Sequence, residues 1–251
     1  MDKVAGVILA GGRAQRLGGG DKVLLSLAGR TLLSRIAEIV APQVQGLALN
    51  AVGPAARFSP WDHPVINDGA FAGYGPLAGV LAALRFGAEA GVDWVLTVPG
   101  DTPFLPGDLV ARLSAEAARG GRPIVLAGSG EGGAQDGLHP TVGLWSVRQA
   151  ADLEAALRDG TRTMLAWCDA QGFGAVRWPN TPRDPFFNVN TQEDLAEAER
   201  LVLRGDLGGG GRSGSDTPAR VFVEGGSRWR GLRQHGGSAS ALPFERSTRL
   251  E

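Results

Sequence analysis

A chain of 251 residues with 43% hydrophobic content can bury one full core, with or without a tail. A net charge of −1 supports neither a nucleic-acid surface nor a membrane surface, and the single Cys168 excludes an intramolecular disulfide or a cysteine zinc cluster. Nothing reads as a signal peptide and no apolar run is long enough for a bilayer, so the expected location is cytoplasmic.

Residues 4–10 are apolar without alternation, as in a buried strand. They lead into Leu9-Ala10-Gly11-Gly12-Arg13-Ala14-Gln15-Arg16-Leu17-Gly18-Gly19-Gly20-Asp21-Lys22. Glycines leaving a strand let backbone N–H groups approach a ligand that a Cβ would push away. Arg16 and Lys22 add two cations, and donors with positive charge are what a polyphosphate needs. A Walker A loop is excluded, because Lys22 follows Asp21 and precedes Val23. The plainer reading is a flexible surface turn.

Leu32, Leu33, Ile36, Ile39 and Val40 then mark one helical face, with Thr31 as its cap. Residues 47–52 read as a second buried strand and 64–66 as a short third. A helix opens at Pro76 and continues through Leu77, Val80, Leu81 and Leu84. Residues 94–98 form a strand, 107–119 a helix, and 124–127 and 141–145 two more strands. Two helices fill 149–170 with a break at Gly160, and 176–178 is the last strand. A helix over 191–204 closes the domain, and Thr191 with Asp194 resembles a capping box. Residues 205–251 are rich in Gly, Ser and Arg, and are expected to form a largely disordered extension of a 1–204 domain. Within them Gly209-Gly210-Gly211-Arg212-Ser213-Gly214 matches a dinucleotide fingerprint by letters alone, with no strand before it.

Alternating strands and helices imply a three-layer α/β fold, a mostly parallel central sheet with helices on both faces. Ligands in such sheets sit at the carboxyl ends of strands. Gly11 to Lys22, Asn50, Asp68 and the Gly100-Asp101-Thr102-Pro103 turn all follow predicted strands.

Asp101, just past a buried strand and between Pro99 and Pro103, suits Mg²⁺, which takes one or two carboxylates plus phosphate oxygens; alternatively it caps the next turn. Asp68 and Asn50 can bind a base or ribose, although Asn67, Asp68 and Gly69 also form a good turn. Gly75-Pro76-Leu77-Ala78-Gly79 enters a helix with no bulky first-turn side chain, either to lie against a nucleobase or simply to start the helix. His139, before Pro140, is structural or contacts substrate. Asn188 and Asn190 put two amides on one extended segment, for a polar heterocycle or to shape the helix entry. Trp167 and Cys168 read as core.

Taken together over about residues 4–201, these motifs resemble the molybdenum cofactor guanylyltransferases, within the Rossmann-like nucleotidyltransferase fold. The resemblance implies an enzyme that transfers GMP from GTP to molybdenum-bearing molybdopterin and releases pyrophosphate. It implies Arg16, Lys22 and Asp101 as catalytic residues, with Mg²⁺ on Asp101. It implies nucleotide contacts at Leu9, Ala10, Gly11, Gly12, Lys22, Asn50, Asp68, Gly75, Pro76, Leu77, Gly79 and Asp101. His139, Asn188 and Asn190 are the candidates for the acceptor. Molybdopterin-biosynthesis proteins and apo-molybdoenzymes are the candidate protein partners. Related cytidylyltransferases tend to carry Leu-Ala-Ala-Gly in the first loop and to lack the Gly-Pro-Leu-Ala-Gly segment, which favours GTP over CTP here. Gln192 stands where the family usually has proline. The competing readings are cytidylyl transfer to the same cofactor, transfer to a sugar 1-phosphate, and a non-catalytic pterin carrier.

Overall fold

The computed structural model describes residues 2–11, 19–131 and 135–208. Strand β1 (Val4–Leu9) is followed by a small hairpin, β2 (Ser26–Leu27) and β3 (Arg30–Thr31), and then by helix α1 (Leu32–Val40). Next come β4 (Leu47–Asn50), β5 (Val65–Ile66), α2 (Pro76–Ala90), β6 (Trp94–Pro99) and α3 (Leu109–Gly120). The chain continues through β7 (Ile124–Ser129), β8 (Leu138–Ser146), α4 (Ala150–Arg158), α5 (Met164–Gln171), β9 (Phe173–Trp178) and α6 (Gln192–Gly208).

Seven strands make one sheet in the order β5-β4-β1-β6-β8-β7-β9. All pairs are parallel except those of β8, which runs against both β6 and β7. The central strands β1, β4 and β6 are buried on both faces because both faces are covered. Val4 and Ile8 of β1 pack with Leu33, Ile36 and Val40 of α1 and with Leu109 and Leu113 of α3. Ala5 and Val7 point the other way, to Ala83 and Phe86 of α2. Beyond α2, α4 and α5 complete the second layer through Leu153, Leu157, Trp167 and Cys168.

Local signals set the helix ends. Thr31 Oγ1 accepts the Ser34 N–H at 3.1 Å, capping α1 as expected. At α6 the capping box is present: Asp194 N–H donates to Thr191 Oγ1, and the Asp194 carboxylate accepts from the N–H groups of Asn190 and Thr191. Those donors hold the Asp194 carboxyl below its usual range.

Several boundaries differ from expectation. β4 ends at Asn50, and Val52 is 58% exposed instead of continuing the strand. β8 and β9 start three residues earlier than the apolar runs suggest, because sheet pairing recruits Leu138, His139 and Pro140, and Phe173 to Ala175. Helix α6 runs to Gly208, past the boundary drawn at 204; the rest of the proposed extension, with its glycine fingerprint, lies outside the described residues. The β2–β3 hairpin gave no sequence signal. Among the described residues no helix is long and apolar enough to cross a membrane.

Candidate active site

The carboxyl ends of β1, β4 and β6 are bound to one another by main chain. Ala10 N–H donates to Asn50 O at 2.7 Å, and Gly100 N–H donates to Leu9 O at 2.9 Å. Three strand exits therefore converge on one spot, where a cleft with a cavity of about 530 Å³ opens. A cleft of that size accommodates a nucleotide-sized ligand.

Its lining brings together Leu9, Ala10, Gly11, Lys22, Asn50, Asp68, Gly75, Pro76, Gly79 and Asp101, ten of the positions singled out from sequence. Gly12 and Arg16 lie outside the described residues. Leu77 is fully buried in the α2 core and is not among the residues that line the cleft. Sequence reading missed Val52, Gly73 and Thr141, and it passed over Val23, Pro99 and Gly100 as lining residues. Thr141 carries no signal of its own; it faces the cleft because β8 runs antiparallel beside β6.

Two glycines allow the walls to come this close. A Cβ on Gly79 would stand 3.0 Å from Asn50 Oδ1 and 3.1 Å from Leu9 Cδ2. A Cβ on Gly100 would overlap Val23 and stand 3.2 Å from Leu9 O.

The polar groups form two clusters. In the first, Asn50 Nδ2 donates to Asp68 Oδ1 at 2.9 Å, which fixes the amide and leaves the other carboxylate oxygen facing away from that bond. Asn50 is buried and needs this partner. Asn67 Oδ1 accepts the Gly69 N–H, so the turn chemistry predicted for this segment belongs to Asn67, and Asp68 is left for the cleft.

In the second cluster, Lys22 Nζ lies 2.6 Å from Asp101 Oδ2 and donates to Asn190 Oδ1 at the same distance. The ion pair is largely shielded, at 11% and 21% side-chain exposure, and is correspondingly less screened than a surface pair. Thr102 Oγ1 donates to Asn188 Oδ1 at 2.6 Å, and Val189 N–H donates to the Asp101 carbonyl at 2.9 Å. Both amides expected from the Asn188-Val189-Asn190 segment are thus clasped onto the Asp101 turn, one through Thr102 and one through Lys22. Asp101 caps no helix.

The donor set around Asp101 is composed of hard oxygens: its own carboxylate, the Thr102 hydroxyl and the Asn190 amide oxygen shared with Lys22. Among the described residues no group of three or more His, Cys, Asp or Glu could cage a metal. A single carboxylate at the rim of a polyphosphate-sized cleft fits Mg²⁺, which keeps waters and shares phosphate oxygens, and does not fit zinc.

His139 sits apart. Its Nε2 is 2.6 Å from Ser129 Oγ, which also reaches Asp184 Oδ2 at 3.5 Å, and its ring is tilted over Phe186 with centroids 4.7 Å apart. Burial lowers its pKa, and Asp184 opposes that shift in part. Trp167 and Cys168 are buried core residues, as expected, and burial pushes the Cys168 thiol up to about 12.

A mostly parallel sheet with glycine exits, a lysine and an aspartate at adjoining strand ends defines a nucleotide-handling α/β protein. Residues 6–172 match the model of the MobA-like NTP transferase domain. The chain is 47% identical over 201 residues to the molybdenum cofactor guanylyltransferase of Rhodopseudomonas palustris strain BisB5, covering 79% of this chain and 93% of that relative. It is 45% identical over 200 residues to the molybdenum cofactor guanylyltransferase of Nitrobacter hamburgensis, covering 78% and 93%. The fold is similar to the crystal structure of molybdopterin-guanine dinucleotide biosynthesis protein A from Archaeoglobus fulgidus, with a TM-score of 0.63 at 24% identity over 80% of this chain and 99% of that one. The chain belongs to the MobA-like NTP transferase family, and is a nucleotidyltransferase.

Proposed function

We propose that this enzyme transfers GMP from GTP to the terminal phosphate of molybdenum-bearing molybdopterin, releasing pyrophosphate. The observation that carries the proposal is the meeting of Lys22 and Asp101 at the joined exits of β1, β4 and β6, in a chain 47% identical to a guanylyltransferase.

Gly11, Gly12 and the loop through Arg16 to Lys22 take the triphosphate, while Asn50, Asp68 and the Gly75 to Gly79 turn, with Pro76, take the nucleoside. Leu9 and Ala10 form the floor. An acceptor phosphate oxygen attacks the α-phosphorus. The bond from that phosphorus to the β-bridging oxygen breaks, and its electron pair leaves with pyrophosphate. The acceptor oxygen is already an anion, so no general base is required. The protein supplies alignment and neutralisation of the growing charge. Lys22, paired with Asp101 and Asn190 in this structure, can exchange those partners for phosphate oxygens. Asp101, with Thr102 beside it, is the residue to hold Mg²⁺, which when bound neutralises charge on the phosphates. Arg16 supplies a second cation. Asn188, Asn190 and His139 are assigned to the acceptor side, and the 205–251 segment to an extension outside the catalytic domain. The reading places the reaction in the cytoplasm.

The test is pyrophosphate release with Mg²⁺ and molybdenum-loaded molybdopterin, comparing GTP with CTP. Release with GTP alone is expected. Release with CTP alone would overturn the guanine assignment, and nucleotide binding without release would favour a pterin carrier.

A further inference from the structure

Asp21 and Lys22 are consecutive, opposite in charge, and bonded to different strand exits: Lys22 to the turn after β6, Asp21 to the connection after β4. Lys22 turns to Asp101 and Asn190. Asp21 turns away, and its Oδ1 accepts from Arg57 Nη2 at 2.6 Å. Arg57 lies in the single-turn helix Ala55–Phe58 after β4, in the same connection whose Val52 lines the cavity. Its guanidinium rests over the Phe58 ring at 4.8 Å, and Phe58 is itself buried. It also passes over Gly53, where φ is +94° and a Cβ would stand 2.7 Å from Nη1. The arginine is therefore located by a ring beneath it, a bare backbone beside it and a carboxylate at its tip.

A carboxylate beside the lysine of a polyphosphate loop is an electrostatic problem. Asp21 adjoins Lys22, which lines the cleft, so an uncompensated charge on it would repel a multiply charged anion bound at Lys22. Arg57 cancels that charge and draws it toward the β4 rim. We propose that Arg57 is a positioning residue for the triphosphate: by neutralising and anchoring Asp21, it keeps the Asp21–Lys22 corner cationic toward the bound nucleotide. The proposal rests on the guanylyl-transfer reading. It concerns the phosphates of GTP and assigns Arg57 no contact with the base.

The experiment is a cycle of four proteins: wild type, Arg57→Ala, Asp21→Asn and the double variant. Each is titrated with methylanthraniloyl-GTP and, in competition, with guanosine, and each is melted. Arg57→Ala is expected to weaken GTP about tenfold, more at low salt than at high, with guanosine and the melting temperature unchanged. Removing the unpaired charge in the double variant is expected to restore GTP binding to within about threefold of wild type. Unchanged GTP affinity in Arg57→Ala overturns the proposal. So does a double variant as weak as the single one, or an equal loss of guanosine, because each outcome makes Arg57 a direct contact or a packing residue. A wild-type chain that binds no GTP overturns the guanylyl-transfer reading instead.

Discussion

The two halves of the sheet solve different problems. On the β5-β4-β1-β6 side every strand is parallel, and the exits are joined by main-chain hydrogen bonds and floored by glycines and small residues. Space is conserved there, and among the described residues the charges fall in paired or bonded groups: Lys22 with Asp101, Asp21 with Arg57, and Asp68 with Asn50. On the β8-β7-β9 side the strand ends are filled with rings and side-chain bonds, as in Ser129–His139–Asp184 and Trp178 against Phe186. The first half presents backbone to a ligand; the second presents a packed wall. An open nucleotide site needs residues that do not fill it, whereas the neighbouring wall can be built from large ones.

The sharpest way to break this contrast is to remove the charges from the open half. Asp101→Ala and Lys22→Ala are each expected to lower kcat on the order of a thousandfold, with cooperative unfolding retained. Pyrophosphate release and a urea titration on the same samples check both statements. A milder intrusion is to fill the space: Gly79→Val pushes Asn50 Oδ1 and Leu9 aside, and is expected to raise the KM for GTP about tenfold with little change in kcat. Steady-state kinetics would read it.

The seam between the halves is sensitive to stability instead. Thr97 is fully buried on β6; its Oγ1 donates to the Thr141 carbonyl at 3.0 Å and accepts the Trp145 indole N–H at 2.8 Å. Thr97→Val leaves both partners unpaired, and urea unfolding is expected to show a loss of about 2 kcal/mol. In the packed half the effect is smaller and depends on pH. Burial lowers the pKa of His139, and of His63 elsewhere, so below the ordinary value of 6.5 the unfolded chain binds more protons than the folded one. Stability therefore falls as pH drops through that region, and His139→Gln is expected to flatten part of the decline between pH 7.5 and 5.5. The smallest effect is an absence: with its thiol raised to about 12 inside the core, Cys168 is expected to resist alkylation at pH 8 until the protein unfolds.

Already legible in the letters were the alternation of elements, the buried faces of α1 and α2, the caps at Thr31 and Thr191, and ten of the residues that line the cleft. Those features are written in neighbouring letters: an apolar run, a glycine or proline at its end, a polar residue just beyond. Local backbone preference and hydrophobic period act over such distances. Whatever depends on partners far away in the chain emerged only on folding. Strand β8 runs antiparallel to both its neighbours and starts three residues before its apolar core, because β6 and β7 pair with it. Asn190 meets Lys22 across 168 positions, and Arg57 meets Asp21 across 36. Leu77 keeps the motif's spelling yet faces the core, because a helix start exposes only one side to the cleft. A charge pair between two loops leaves no period and no punctuation in the letters. Its geometry exists only once the sheet has set the strand exits side by side.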